Sequence, residues 1–288
     1  MDNTAPSHQP IGVFDSGIGG LSILQALRDE LPHEHFVYLA DSGHAPYGER
    51  GDVFVTQRTR SITQHLRAQH HIKALVVACN TATTAAIHHI RAEHPDLPLV
   101  GVEPAIKPAA SHTQTGRVGV IGTRGTVTSA KFNTLLATVQ PHADYVVQPC
   151  DGLASAIEQA VAQQKTGTDP GPDAVLALCR KYTDAMGPFG TGPGQLDTLV
   201  LGCTHYVFAR EVLQGLAGPD VTLIDTGAPV ARQTRRLLAQ AGTLAPEDGV
   251  PTPAATTWLS TGEPAQLDAA AARWLGCGAA RSRAPASV

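Results

Sequence analysis

The sequence is short of charge, and it lacks an excess of positive charge in particular. Of its 288 residues 16% are charged and the formal net charge is −4, where about 25% charged is ordinary for a globular domain. Without a basic excess or stripe, a general nucleic-acid binder or a protein held on anionic lipid is not expected. No run approaches the ~18–20 apolar residues that a bilayer span needs. Met1 to Pro10 is polar and has no apolar signal core, so export is not expected and a cytoplasmic location is. The cysteines Cys79, Cys150, Cys179, Cys203 and Cys277 are five, an odd number, widely spaced and without a C-x-x-C pair. That weakens dithiol-redox and zinc-finger readings. In a reducing compartment it predicts free thiols, each by default a small buried hydrophobe.

What is present is apolar and periodic. Hydrophobic residues make up 42% of the chain, and its length suits about two domains with cores of their own. Short β-branched runs end in small polar residues and are followed by helical spacing. In the first half they are Ile11 to Asp15, Phe36 to Asp41, Ala74 to Cys79 and Leu99 to Glu103; in the second, Val118 to Thr123, Tyr145 to Cys150, Leu199 to Cys203 and Val221 to Asp225. Apolar strands alternating with helices predict βαβ units and buried parallel sheets. The fold class is therefore α/β: two similar domains with parallel-sheet cores related by a pseudo-twofold, and a ligand site in the cleft between them.

Residues 1–104 with 227–288 are expected to form the first domain and 105–226 the second. Gln163 to Asp173 and Gly187 to Gln195 read as Gly/Pro-rich loops. A helix over Ala228 to Ala241, a strand from Thr257 and a helix over Pro264 to Leu275 are predicted to return to the first domain. Ala279 to Val288 reads as frayed. The His70-His71 and His88-His89 pairs, like the histidines other than His205, read as surface residues.

Cys79 and Cys203 fall at the same point in the two halves, the carboxyl end of the third strand. In an open α/β sheet that end faces the ligand crevice. In Ala78-Cys79-Asn80-Thr81 the thiol precedes a helix, whose free N–H groups favour thiolate. Asn80 and Thr81 add capping side chains and donors for a carboxylate; the bland alternative is an inert cysteine in a turn. In Gly202-Cys203-Thr204-His205, His205 is spaced to hold a proton for the thiol or for a substrate oxygen. A loop Cys and His, or part of a zinc site lacking a fourth ligand, are the alternatives.

Asp15-Ser16-Gly17-Ile18-Gly19-Gly20 fails G-x-G-x-x-G and reads as a tight turn against a ligand. Asp15 reads equally as an acceptor for an ammonium group and as a helix cap. Ala45-Pro46-Tyr47-Gly48 is a rigid turn, with or without backbone N–H groups to offer. Glu158, early in a helix, either orients a base or is a solvated acid. Two matched thiols facing one carbon suit racemisation, in which one base removes the α-proton and an acid returns a proton to the other face. The rivals are a non-catalytic two-domain ligand-binding module and a cysteine hydrolase, in which a second matched cysteine has no role.

In order, Asp15-Ser-Gly-Ile-Gly-Gly, Ala45-Pro-Tyr-Gly, Ala78-Cys-Asn-Thr-Ala, Gly101-Val-Glu-Pro and Gly202-Cys-Thr-His-Tyr resemble the glutamate racemases of the aspartate/glutamate racemase superfamily. The likeness runs from about Ile11 to Gly276. It implies cofactor-independent interconversion of L- and D-glutamate, without pyridoxal phosphate or metal, supplying D-glutamate for peptidoglycan. It also implies that Cys79 and Cys203 each serve one enantiomer, that Asp15 supports the first, and that His205 and Glu158 support the second. Asp15, Ser16, Tyr47, Gly48, Asn80, Thr81, Thr204 and His205 are the implied substrate contacts. Glutamate is the implied partner, with no nucleic acid and no membrane, and a homodimer is expected. Within the superfamily, aspartate or hydantoin racemisation and one-cysteine decarboxylation are the alternatives.

Overall fold

The computed structural model describes residues 6–163, 171–247, 255–277, 281–286 and 288. The chain divides into two compact units. The first comprises Met1–Tyr47, Gly51–Val102 and Gly227–Val288, and the second Gly48–Arg50 and Glu103–Thr226.

The first unit opens with β1 (Ile11–Asp15), α1 (Leu21–Glu30), β2 (Phe36–Ala40), α2 (Asp52–His70), β3 (Ala74–Val77), α3 (Asn80–Glu93) and β4 (Leu99–Gly101). The second carries α4 (Ile106–His112), β5 (Arg117–Gly122), α5 (Arg124–Val127), α6 (Ala130–Val139), β6 (Asp144–Pro149), α7 (Leu153–Gln163), α8 (Gly171–Asp184), β7 (Thr198–Leu201), α9 (Arg210–Ala217) and β8 (Thr222–Ile224). The chain then returns to the first unit with α10 (Gly227–Gln240), β9 (Thr256–Ser260) and α11 (Pro264–Leu275).

Among the described residues every strand pairing within the two sheets is parallel. The first has the order β4-β3-β1-β2-β9 and the second β6-β5-β7-β8. Numbering the second unit's strands from its own start and reading them from β8, both sheets run fourth-third-first-second, with β9 added to the first. All five residues of β1 and of β2 are buried, as strands covered on both faces must be. Phe14, Val37, Leu39, Leu75 and Val77 face a cluster completed by α2 and α3 residues such as Ile62, Leu66, Ala86 and Ile90. On α1, Leu21, Leu24 and Leu27 recur at helical spacing and are fully buried, where the helix packs against α10 and α11. In the second unit, Ile121, Leu199 and Leu201 pack with Leu153, Ile157 and Leu213. Val118, Val120 and Val200 pack with Ile106, Val127 and Phe132.

Three expectations change. The stretch Gln163 to Asp173 is not all loop. Gln163 ends α7 and Gly171 begins α8, with Pro172 in the first turn, where a missing N–H costs nothing; residues 164–170 lie outside the described set. The tail is not frayed where it is described. Arg283 N–H donates to the Trp258 carbonyl at 3.1 Å, Ser260 N–H donates to the Arg283 carbonyl at 3.1 Å, and Ser282 hydrogen-bonds Asp268. The outer edge of β9 supplies the partners of Arg283 and α11 that of Ser282. His65 is not a surface histidine: it is buried, because it shares a face of α2 with Ile62 and Leu66 and hydrogen-bonds the Ala286 backbone. Among the described residues no helix is long and apolar enough to cross a membrane.

Candidate active site

Sheet register places the two thiols. In the first unit Gly12, Val13 and Phe14 of β1 stand beside Leu75, Val76 and Val77 of β3. In the second, Gly119, Val120 and Ile121 of β5 stand beside Leu199, Val200 and Leu201 of β7. Beyond the last pair, Ala78 N–H donates to the Phe14 carbonyl at 2.7 Å, and Gly202 N–H to the Ile121 carbonyl at 2.7 Å. The next residue is Cys79 in one unit and Cys203 in the other. Each is an extended residue capping the helix that follows.

Their surroundings differ. Cys79 caps α3 with its own sulfur, which accepts from Ala82 N–H at 3.5 Å, while its thiol donates to Ser16 Oγ at 3.6 Å. Fourteen residues of helix stand behind this sulfur, and the amino end of a helix carries partial positive charge that favours thiolate. Asn80 is thus the first helical residue rather than the cap. Its amide donates to the Val102 carbonyl at 3.4 Å, and its buried Oδ1 has no hydrogen-bond partner among the described residues. Asp15, at the end of the adjacent strand, accepts from the N–H groups of Gly17 at 3.2 Å and Gly20 at 2.9 Å. That is the geometry of a cap on the turn before α1. Ser16 and Thr81 are buried nearby in the chain.

Cys203 is followed by a 3-10 turn over Thr204–Ala209 and caps it with no side-chain bond. What it has instead is a relay. Its sulfur lies 3.8 Å from His205 Nδ1, and His205 Nε2 lies 2.6 Å from Glu158 Oε2 on α7. Burial disfavours the charged imidazole. The hydrogen bonds to Cys203 and Glu158 outweigh that and raise His205 well above its ordinary value. An imidazolium there has an N–H to donate to each neighbour, Cys203 Sγ and Glu158 Oε2. Glu158 is thus brought onto the histidine across 47 residues of sequence, and Thr204 is buried beside it. By contrast, burial pushes the Cys150 thiol up strongly and that of Cys179 to about 11, so both remain neutral hydrophobes. All five cysteines are free.

The turn from Asp41 to Gly48 holds a side-chain cluster that the sequence did not single out. Asp41 is fully buried. Its Oδ1 accepts from Arg58 Nη2 at 2.8 Å and from Thr261 Oγ1 at 2.8 Å, and lies 3.0 Å from His44 Nδ1. Its Oδ2 accepts from Arg58 Nε at 3.0 Å and from the Tyr47 hydroxyl at 2.5 Å. Burial alone would raise this carboxyl. The bonds from Arg58, Tyr47 and Thr261 prevail and hold it below the usual carboxylate value. Burial, with the Asp41 charge, raises the Tyr47 phenol strongly. The Tyr47 hydroxyl proton is therefore committed to Asp41. Its ring packs near Phe14 and Phe54, in the buried cluster that also contains Cys79. Gly48 groups with the second unit, where a Cβ on it would come 2.8 Å from Thr123 Cβ. The available signals were Arg58 on the apolar face of α2 and a Thr-Gly step at the end of the last strand.

Comparison with known proteins gives one family. Residues 21–234 match the model of the Asp/Glu/hydantoin racemases. The chain is 45% identical over 263 residues to a glutamate racemase of Ectopseudomonas mendocina, covering 91% of this chain and 93% of that one. A crystal structure of a Bacillus anthracis glutamate racemase isoform superimposes with a TM-score of 0.81 at 29% identity, over 96% and 97% of the two chains. The Escherichia coli glutamate racemase in complex with L-glutamate and the activator UDP-MurNAc-Ala gives a TM-score of 0.76 at 32% identity, over 92% and 95%.

Proposed function

Because the chain belongs to the Asp/Glu/hydantoin racemase family, we propose that it interconverts L- and D-glutamate by proton transfer at Cα between two cysteines, with no cofactor. The observation that carries the reading is the equal register of Cys79 and Cys203 at the ends of β3 and β7. In one direction a thiolate takes the α-proton, leaving a carbanion stabilised as the enediolate of the α-carboxylate. The opposite thiol then gives its proton to the other face. The reverse reaction exchanges the two roles, so each turnover consumes one thiolate and one thiol and leaves one of each.

Each sulfur must reach the same carbon at about 3–3.5 Å in the reactive complex. Asp15 and Ser16 serve the Cys79 side, and His205 with Glu158 the Cys203 side. N–H groups at the start of α3 and of the turn after Cys203 receive the α-carboxylate, where they offset the growing negative charge. The other carboxylate falls to donors of the Tyr47-Gly48 turn and to the hydroxyls of Thr81 and Thr204. The product D-glutamate goes to peptidoglycan in the cytoplasm, and the working assembly is a homodimer.

The test is incubation with L-glutamate in deuterated buffer without cofactor, read by optical rotation and by deuterium at Cα. The wild type is expected to lose rotation with one deuterium taken up. Cys79→Ala and Cys203→Ala are each expected to lose racemisation by at least about 10³-fold. Near-full turnover in both directions by either variant overturns the two-base scheme. Turnover of aspartate or a hydantoin in place of glutamate reassigns the substrate.

A further inference from the structure

Thr261 lies 220 residues from Asp41 in the sequence and at 2.8 Å from its carboxylate in the fold. We propose that Thr261, through Asp41, is a positioning residue for the reaction: the segment after β9 holds the Asp41–Gly48 turn in the shape that receives the substrate. This inference rests on the proposed role of Tyr47-Gly48 in binding glutamate.

Three observations support it. First, Asp41 ties the turn together from inside. Its own N–H donates to the Asp15 carbonyl at 2.9 Å and its carbonyl accepts from His44 N–H at 2.9 Å. Its side chain holds His44, Tyr47 and Arg58 at once. The carboxylate thus fixes where Tyr47, and with it the N–H of Gly48, can stand. Second, Thr261 is built into the same lattice twice. Its hydroxyl donates to Asp41 and accepts from Gly43 N–H at 3.1 Å, while its own N–H donates to the Ala40 carbonyl at 3.0 Å. Third, the two segments touch at backbone distance. A Cβ on Gly43 would lie 2.6 Å from the Thr261 carbonyl oxygen, and one on Gly262 would lie 3.0 Å from Ser42 Cβ. Contact this close at two glycines leaves no room for a side chain between the β9 end and the turn. A threonine that merely closed a sheet edge would need none of the contacts to Asp41 and Gly43.

Thr261→Val keeps the shape of the side chain and removes the hydroxyl, while Thr261→Ser keeps the hydroxyl. The experiment measures kcat and KM for glutamate in both directions, Tm, and amide hydrogen exchange over residues 42–48. For Thr261→Val the expected result is a KM raised about tenfold with kcat changed less, since a binding donor is displaced rather than a proton carrier. Exchange at 42–48 is expected to quicken about tenfold, with both effects restored in Thr261→Ser. A Thr261→Val protein whose KM and exchange match the wild type overturns the proposal. So does one with a lowered Tm and unchanged KM, since it makes the residue purely structural. A wild type that does not turn over glutamate defeats the functional reading instead, and the exchange of residues 42–48 then still decides whether Thr261 orders the turn.

Discussion

At the scale of single residues, the two thiols occupy one place in two copies of a motif and are served by different chemistry. Gly122 of β5 stands where Asp15 stands on β1: the residues just before them, Ile121 and Phe14, pair with Leu201 of β7 and Val77 of β3, each two residues before its cysteine. The second site therefore has no carboxylate from its first strand, and in the proposed mechanism the histidine two residues after the cysteine, hydrogen-bonded to Glu158, takes the task. The raised His205 makes this side sensitive to pH. A folded value above the ordinary ~6.5 contributes stability that is complete below about pH 6.5 and is lost as pH climbs through the raised value. Glu158→Gln removes one of the partners that lift it. Imidazole NMR of that variant is expected to show His205 titrating at lower pH, with kcat down about tenfold and more in one direction than the other. An unmoved titration would show that Glu158 is a bystander.

At the scale of elements, the step from strand to cysteine tolerates different residues in the two units. Ala78 carries a side chain at the point where Gly202 has none. A Cβ on Gly202 would sit 2.6 Å from the Ile121 carbonyl oxygen, a backbone atom that cannot swing aside. Gly202→Ala is expected to cost about 1–3 kcal/mol in urea unfolding and to slow turnover by displacing Cys203. Ala78→Gly in the equivalent position should leave the Cys79 geometry intact. These strands, their order of chemistry and both cysteines were legible in the sequence because buried parallel strands read as apolar runs ending in polar residues. The contacts of Arg58 and Thr261 with Asp41 were not, because one arises from α2 packing over the end of β2 and the other from pairing β9 with β2, and no local pattern encodes either. Nor was the burial of His65, which depends on where the chain from Ser282 to Ala286 comes to lie. Asn80 was misplaced as a cap for a smaller reason: sulfur filled the capping position, one that oxygen side chains usually take.

At the scale of the whole molecule, the first unit is assembled from stretches far apart in the chain, and a buried ion pair joins them. Lys73, before β3, lies 2.5 Å from Glu34 Oε2, with both side chains almost wholly buried. The same ammonium donates to the carbonyls of Ser7 at 2.7 Å and Thr243 at 2.8 Å. Burial pulls the lysine down, and Glu34 opposes that pull. Lys73→Met strands the carboxylate and should cost about 3–5 kcal/mol. Adding Glu34→Leu should recover most of it, and a double variant no more stable than the single one would refute the pairing as the cause. The discontinuity also bears on biosynthesis. The second unit is nearly continuous in sequence, so it can close on itself while still tethered to the ribosome. The sheet of the first must wait with the outer side of β2 bare until Thr256–Ser260 emerges. For that interval the nascent protein carries an adhesive strand of the kind chaperones shield. The hydroxyl of Thr261 arrives with the same late segment, so a chain halted before it would leave the Asp41 turn without one of its ties.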